Sequence, residues 1–347
     1  YIAEIAPANL RGRLGSLQQL AIVLGIFATG LTNYLIVLWA GSSTSPWLFG
    51  IEAWQWMFLI ELFPALLYLV LALRIPESPR YLVEIGRPDE ARAVLETIFT
   101  TDQSATVAQI QATVEGAGKH SLGDLRGPRL GLLPIVWVGI ILSALQQFVG
   151  INAVFYYSNL VWQSVGFSED QAFLTSMITN AVNVGTTLLA IALIDRVGRK
   201  RLLLTGSLGM AVTLALLTLI FGTAPEVVND AGVLEPSLSG ASAAIAVVAF
   251  NVYVFFFGMS WGPVVWVLLG EMFPNRIRAA ALAVAAAAQW IANFIVSTSF
   301  PPLAAQSLML AYGIFTAFAV VSIFFVRAKI PETTGRSLEE ISEDAAA

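Results

Sequence analysis

From Gln146 to Asn159 the chain reads Gln-Gln-Phe-Val-Gly-Ile-Asn-Ala-Val-Phe-Tyr-Tyr-Ser-Asn, four carboxamides within fourteen residues. Each carboxamide both donates and accepts hydrogen bonds, so the cluster can answer groups of the same dual kind, hydroxyls above all. It sits in a run, Leu130 to Ser168, that contains no Asp, Glu, Lys or Arg. Such a run is long enough to cross a bilayer core of roughly 30 Å, which takes about 20 residues of helix. In hydrocarbon each unpartnered amide would cost a few kcal/mol, so the cluster must face other protein or a water-filled cavity. Gly150, in its middle, weakens the helix and lets a ligand or a neighbouring backbone come close. The competing expectation is a helix interface held by amides, as in many membrane proteins.

The rest of the chain agrees with a membrane setting. Hydrophobic residues make up 57% and charged residues only 12%, against about 25% charged in soluble domains. The net charge of −5 says little about partners, because in a membrane protein the placement of charge matters more than its sum. With no cysteine and a single histidine, His120 in a polar segment, thiolate chemistry and Cys-based metal sites are excluded. No zinc-type His pair, Ser-His-Asp set or phosphate-cradling loop is visible. The expectation is a protein that is not an enzyme, with no cofactor, no metal and no nucleic-acid partner.

Uncharged or nearly uncharged stretches mark the spans. They run over 14–39, 53–73, 130–162, 171–194, 202–222, 240–270, 279–300 and 307–326, after a stub of helix at 1–8. If each crosses once, all eighteen Lys and Arg fall on one side, which the positive-inside rule makes the cytoplasm. Trp47 and Trp162 then read as interfacial anchors near the outer face. Residues 77–129 form a polar linker with short helical patterns at 88–99 and 107–114, and 331–347 a cytoplasmic tail. Glu4-x-x-Pro7-x-x-x-Arg11 recurs as Glu271-x-x-Pro274-x-x-x-Arg278, and Pro76-Glu77 as Pro331-Glu332. The chain is therefore two parallel repeats, 1–76 and 130–330, of which the first lacks about 135 residues by the repeat logic. The expected whole is an all-α membrane protein of twelve helices, with helix 4 as a stub and helices 5 to 12 complete in this chain.

Six motifs in order carry a family resemblance: Tyr1-Ile-Ala-Glu with Arg11-Gly-Arg13, Pro76-Glu-Ser-Pro-Arg80, Gln146-Gln-Phe-Val-Gly-Ile-Asn152, Asp195-Arg-Val-Gly-Arg-Lys200, Trp261-Gly-Pro263 with Trp266 and Glu271, and Pro331-Glu-Thr-Thr-Gly335. The chain resembles the sugar porters of the major facilitator superfamily, nearly end to end. That resemblance implies secondary transport of a hexose or pentose across the cytoplasmic membrane, with proton symport expected ahead of facilitated uniport and of a non-transporting sensor. It further implies that Gln19, Gln146, Gln147, Asn152, Asn183 and Gln289 hold sugar hydroxyls. Trp266 and Trp290 would cover the C–H face, and Tyr156 and Tyr157 would gate the outer side. Asn293 reads instead as an interhelical hydrogen bond.

Movement needs weak points. Gly262-Pro263 should kink its span by removing a backbone hydrogen bond, with Gly150 as a second hinge. At the cytoplasmic ends Glu4, Arg11, Asp195, Arg196, Arg199, Glu271 and Arg278 lie at one depth, where they could bridge the halves and separate on opening. Glu61 is the one carboxylate inside a span, flanked by Phe58-Leu-Ile and Leu62-Phe. An intramembrane carboxylate is costly unless paired or used, which makes Glu61 the candidate for proton coupling.

Overall fold

The computed structural model describes residues 11–99, 103–116, 122–128, 130–228, 234–274 and 277–332. Glu4, with the rest of the expected stub, and most of the tail lie outside them, as do the side chains of Arg11 and Asp195. Among the described residues eight helical segments are long and apolar enough to cross a membrane, and they coincide with the eight spans expected. A two-stranded antiparallel ladder, β1 (Glu226–Val228) on β2 (Leu234–Pro236), lies between the fifth and sixth spans.

The first two spans are α1 (Arg11–Ala40) and a pair, α2 (Ala53–Leu59) and α3 (Leu62–Ala72). The second is therefore not continuous. Pro64 explains the break: its ring excludes the carbonyl four residues back, that of Ile60, and it has no N–H to offer. At Ile60 and Glu61 the backbone keeps right-handed helical angles and only the hydrogen-bond ladder is interrupted, resuming with Glu61 as N-cap. Helix α3 contributes no buried residue, so its Leu-rich surface is one that lipid or other protein must cover.

The linker folds into three short helices, α4 (Pro79–Glu84), α5 (Pro88–Ile98) and α6 (Ser104–Gly116). Helix α4 arises within the Pro-Glu-Ser-Pro-Arg motif. The Ser78 hydroxyl accepts from Tyr81 N at 3.3 Å and Pro79 opens the first turn, both ordinary helix starts. Leu82, Val83, Ala91, Leu95 and Val107 form a small separate core.

The main core lies in 125–330. Its helices are α7 (Pro134–Phe148), α8 (Ile151–Tyr156), α9 (Ser158–Gln163), α10 (Glu169–Val197), α11 (Arg199–Gly222), α12 (Gly240–Gly258), α13 (Trp261–Met272), α14 (Arg278–Gln306) and α15 (Leu308–Lys329). Helix α11 packs on α15 and α12, α7 on α14, and α10 on α1. One expectation fails here. Trp162 is not an interfacial anchor but fully buried, its ring 5.1 Å from that of Phe167 and 5.0 Å from that of Phe250, because α9 packs inward. Trp47 is half-buried in an aromatic cluster with Trp39 and Trp56. These three rings and Leu35 line an apolar hollow of about 410 Å³ between α1 and α2 that contains none of the carboxamides.

Candidate functional site

Two interrupted spans meet at the carboxamides. Helix α7 stops at Phe148, and Gly150 takes φ 90° and ψ 11°, a left-handed conformation that costs other L-residues roughly 1–2 kcal/mol. A Cβ there would also collide with the Phe315 ring. The break releases the Val149 carbonyl, which the buried Tyr253 hydroxyl caps at 2.8 Å. Opposite, α12 ends at Gly258 and α13 starts at Trp261, so the interruption falls at Met259–Ser260, one turn before the Gly262-Pro263 pair expected to kink the helix. Pro263 instead occupies the first turn of α13, where no helical N–H is required, and its imprint is the break behind it.

The amides bridge these breaks. Gln146 Nε2 donates to the carbonyls of Trp261 at 2.8 Å and Gly262 at 3.3 Å. Gln147 Nε2 reaches Gln146 Oε1 at 3.5 Å, and Asn152 Nδ2 donates to Gln147 Oε1 at 2.6 Å and to Asn293 Oδ1 at 2.9 Å. Ser297 Oγ also donates to Asn293 Oδ1, at 3.2 Å. The result is a ladder from α13 through α7 and α8 to α14. Asn293 does make the interhelical bond anticipated for it, yet the bond runs directly to the amide cluster. One turn from it on α14, Gln289 is buried, and its Oε1 finds no hydrogen-bond partner among the described residues. A buried acceptor left open costs about 1–3 kcal/mol, a deficit that a hydroxyl donor entering the ladder would remove.

Other expected members are less closely joined. Asn183 is buried on α10 beside Gly258, with no hydrogen bond to the ladder among the described residues. Gln19 is half-buried on α1, and Trp266 half-buried on α13. Trp290, next to Gln289 but about 100° round the helix, is 62% exposed and is not brought to the amides. Tyr157 stacks on Phe300 at 5.4 Å and donates to Ser297 O at 2.8 Å, whereas Tyr156 is exposed. Asn159 binds Ser176 at 2.6 Å, away from the ladder.

At the end expected to be cytoplasmic, Arg199 grips Glu271 with two bonds, Nη2 to Oε1 at 2.9 Å and Nε to Oε2 at 3.2 Å. Its Nη1 donates to Ile194 O at 3.1 Å. Arg278 Nε donates to Phe273 O at 3.1 Å, closing the end of α13, and Arg196 is exposed. Glu332, of the repeated Pro-Glu pair and the last motif, joins the same end. Its carboxylate accepts from the backbone N–H of Arg199 at 2.9 Å and of Lys200 at 3.2 Å, an anion on the open amides of a helix start. Glu61 is exposed at the break between α2 and α3, and its carboxylate has no hydrogen bond or ion pair among the described residues.

Comparison with known proteins places these features in a lineage. The sequence pattern of the family described as "Sugar (and other) transporter" matches residues 1–345. A glucose transport protein of Synechocystis is 57% identical over 343 residues, 98% of this chain and 72% of the relative. The D-xylose-proton symporter of Escherichia coli K12 is 40% identical over 98% of this chain and 66% of its own length. The solved structure of the proton:xylose symporter XylE bound to 6-bromo-6-deoxy-D-glucose superposes with a TM-score of 0.77 at 38% identity. The match covers 99% of this chain and 69% of that one.

Proposed function

The chain belongs to the sugar transporter family of the major facilitator superfamily, and from that premise we propose that it forms the greater part of a monosaccharide carrier working by alternating access. The reading rests on one observation above others, the ladder Gln146–Gln147–Asn152–Asn293 with the open Gln289 acceptor beside it. Sugar hydroxyls complete this set, and Trp266 covers the C–H face. Because the ladder spans two broken helices, α8 and α13 can tilt over bound sugar, with Ser260 and Gly150 as hinges and Tyr157 closing the outer side. Arg199–Glu271, both of the second half, ties the inner ends of α11 and α13 to each other rather than bridging the two halves as expected. The carrier lies in the cytoplasmic membrane with its C-terminal end inside.

Proton symport is favoured over uniport by Glu61, a carboxylate within a span and without a partner among the described residues. We read it as a carrier and not as an enzyme. Uptake of a labelled hexose and pentose panel by the full-length gene product, with and without a protonophore, tests the reading. Accumulation that the protonophore collapses is the expected result. Equilibration that ignores it would favour uniport, and no uptake of any sugar would sink the proposal.

A further inference from the structure

The α1–α10 contact joins the first repeat to the second, and it carries two asparagines, Asn33 on α1 and Asn180 on α10. On α1, Val23, Ile26, Gly30, Asn33 and Val37 follow a spacing of three and four, one stripe of the helix. Val23 and Val37 are buried, and the main neighbour of α1 is α10. Asn180 of α10 lies over this stripe. Its Nδ2 donates to Ile26 O at 3.4 Å, a long bond to a carbonyl that in a helix already accepts from the N–H four residues on, here Gly30. A Cβ at Gly30 would collide with Asn180 Nδ2, so any larger residue would push the amide aside. Three residues further along, Asn33 Oδ1 is buried with no hydrogen-bond partner among the described residues. A weak bond, a bare step and an open acceptor thus lie in line.

We propose that Asn180 is a positioning residue that exchanges the Ile26 carbonyl for Asn33 Oδ1 as α10 slides along α1, with Gly30 as the step it crosses. The proposal rests on the alternating-access reading above. Ile26 O points along α1 toward Gly30, and the Asn33 side chain leans back toward it. The shift needed is therefore about one helical turn, ~5 Å, a displacement that packed helices make in known switches. In this structure Ser43 N donates to Glu169 Oε1 at 3.1 Å, pinning the loop after α1 to the start of α10. The Ile26 bond therefore belongs to the state with that end of the seam closed, and the Asn33 bond to the state with it open.

The test is a double-mutant cycle in the full-length gene product reconstituted in liposomes, reading external and internal KM for sugar exchange. Asn33→Ala removes an acceptor used only in the open state, so external KM should rise about two- to tenfold and internal KM fall, the reach of one hydrogen bond. In an Asn180→Ala background the same substitution should have no effect. Asn33→Ser, which keeps an acceptor, should give an intermediate shift and guards against misfolding of the alanine variant. Gly30→Ala should slow exchange in both directions. Equal KM shifts in both backgrounds, or none in either, would overturn the switch. Wild-type protein that exchanges no sugar would instead indict the functional reading.

Discussion

Two spans are interrupted ahead of a proline, and they are dressed in opposite ways: Ile60 and Glu61 keep right-handed helical angles, whereas Ser260 leaves them at φ −135° and ψ −86°. In each, a proline stands three residues after the break: Pro64 after Glu61, Pro263 after Ser260. The backbone physics is common, a missing N–H and a ring that excludes the carbonyl four residues back. Around Ser260 everything is enclosed. Trp261, Gly262 and Pro263 are buried, the Trp261 indole donates to Leu203 O at 3.1 Å and Ser207 Oγ at 3.0 Å, and Gln146 takes the neighbouring carbonyls. Around Glu61 the residues from Phe58 to Phe63 are exposed, and the carboxylate is unpartnered among the described residues. A proline break is therefore a neutral device. Its surroundings decide whether it becomes a rigid wall of a binding site or a place where a charge can change partners.

The largest effect should come from the break that has no proline. Gly150→Ala forces a side chain into the left-handed region, about 1–2 kcal/mol, and drives a methyl group into Phe315, about 1–3 kcal/mol of overpacking. The variant should lose thermal stability in detergent and bind sugar poorly. A melting curve matching wild type would mean that the Gly150 conformation is not required. Next comes Gln147→Ala, which takes from Asn152 one of its two partners and removes a rung, weakening sugar binding by about 1 to 3 kcal/mol. Tryptophan fluorescence titration reads this directly, and unchanged affinity would remove Gln147 from the site.

Pro263→Ala and Pro64→Ala set the two breaks against each other. Either substitution permits the helix to close over its break. At Pro263 the buried contacts of Trp261 and Gln146 resist straightening, so affinity should change little while turnover falls. At Pro64 few packing contacts oppose it, so the helix should straighten and turn Glu61 to a new direction. Spin-label distances across 56–68 and 255–267 would show whether only the first straightens. Equal behaviour at the two sites would refute the idea that packing, rather than proline, fixes each break.

These contrasts also mark what could be read without coordinates. The spans were plain, because a run such as Leu202 to Gly222 with no charge admits few readings. The amide cluster was equally plain, since polar groups at that depth are expensive. Less visible was which amide meets which. Asn293 and Ser297 look like isolated polar residues until α14 is laid against α8, and Trp162 looks like a belt residue until α9 turns inward. The break at Glu61 was available in principle from Pro64, four residues after Ile60, but apolar continuity across Ala53–Leu73 masked it. Glu332 could have been found by asking what satisfies the amides that follow Gly198, which itself takes a positive φ of 95°.

The last test has the smallest effect on binding and bears most on coupling. Glu61→Gln keeps the shape of the side chain and most of its hydrogen-bonding capacity, and it removes only the ability to carry charge in one state and lose it in another. Because Glu61 touches none of the ladder amides, sugar affinity should stay within about twofold, less than the usual worth of one hydrogen bond. Because the ladder is intact, equilibrium exchange of labelled sugar across the membrane should proceed at close to the wild-type rate. What should fail is accumulation against a gradient, since a carrier that cannot alternate its charge has no means to harness a proton gradient. If the Gln variant concentrates sugar as well as wild type, the open break at Glu61 is architecture, and the two broken spans differ in packing alone. If it loses exchange along with accumulation, Glu61 belongs to the machinery of movement rather than of coupling.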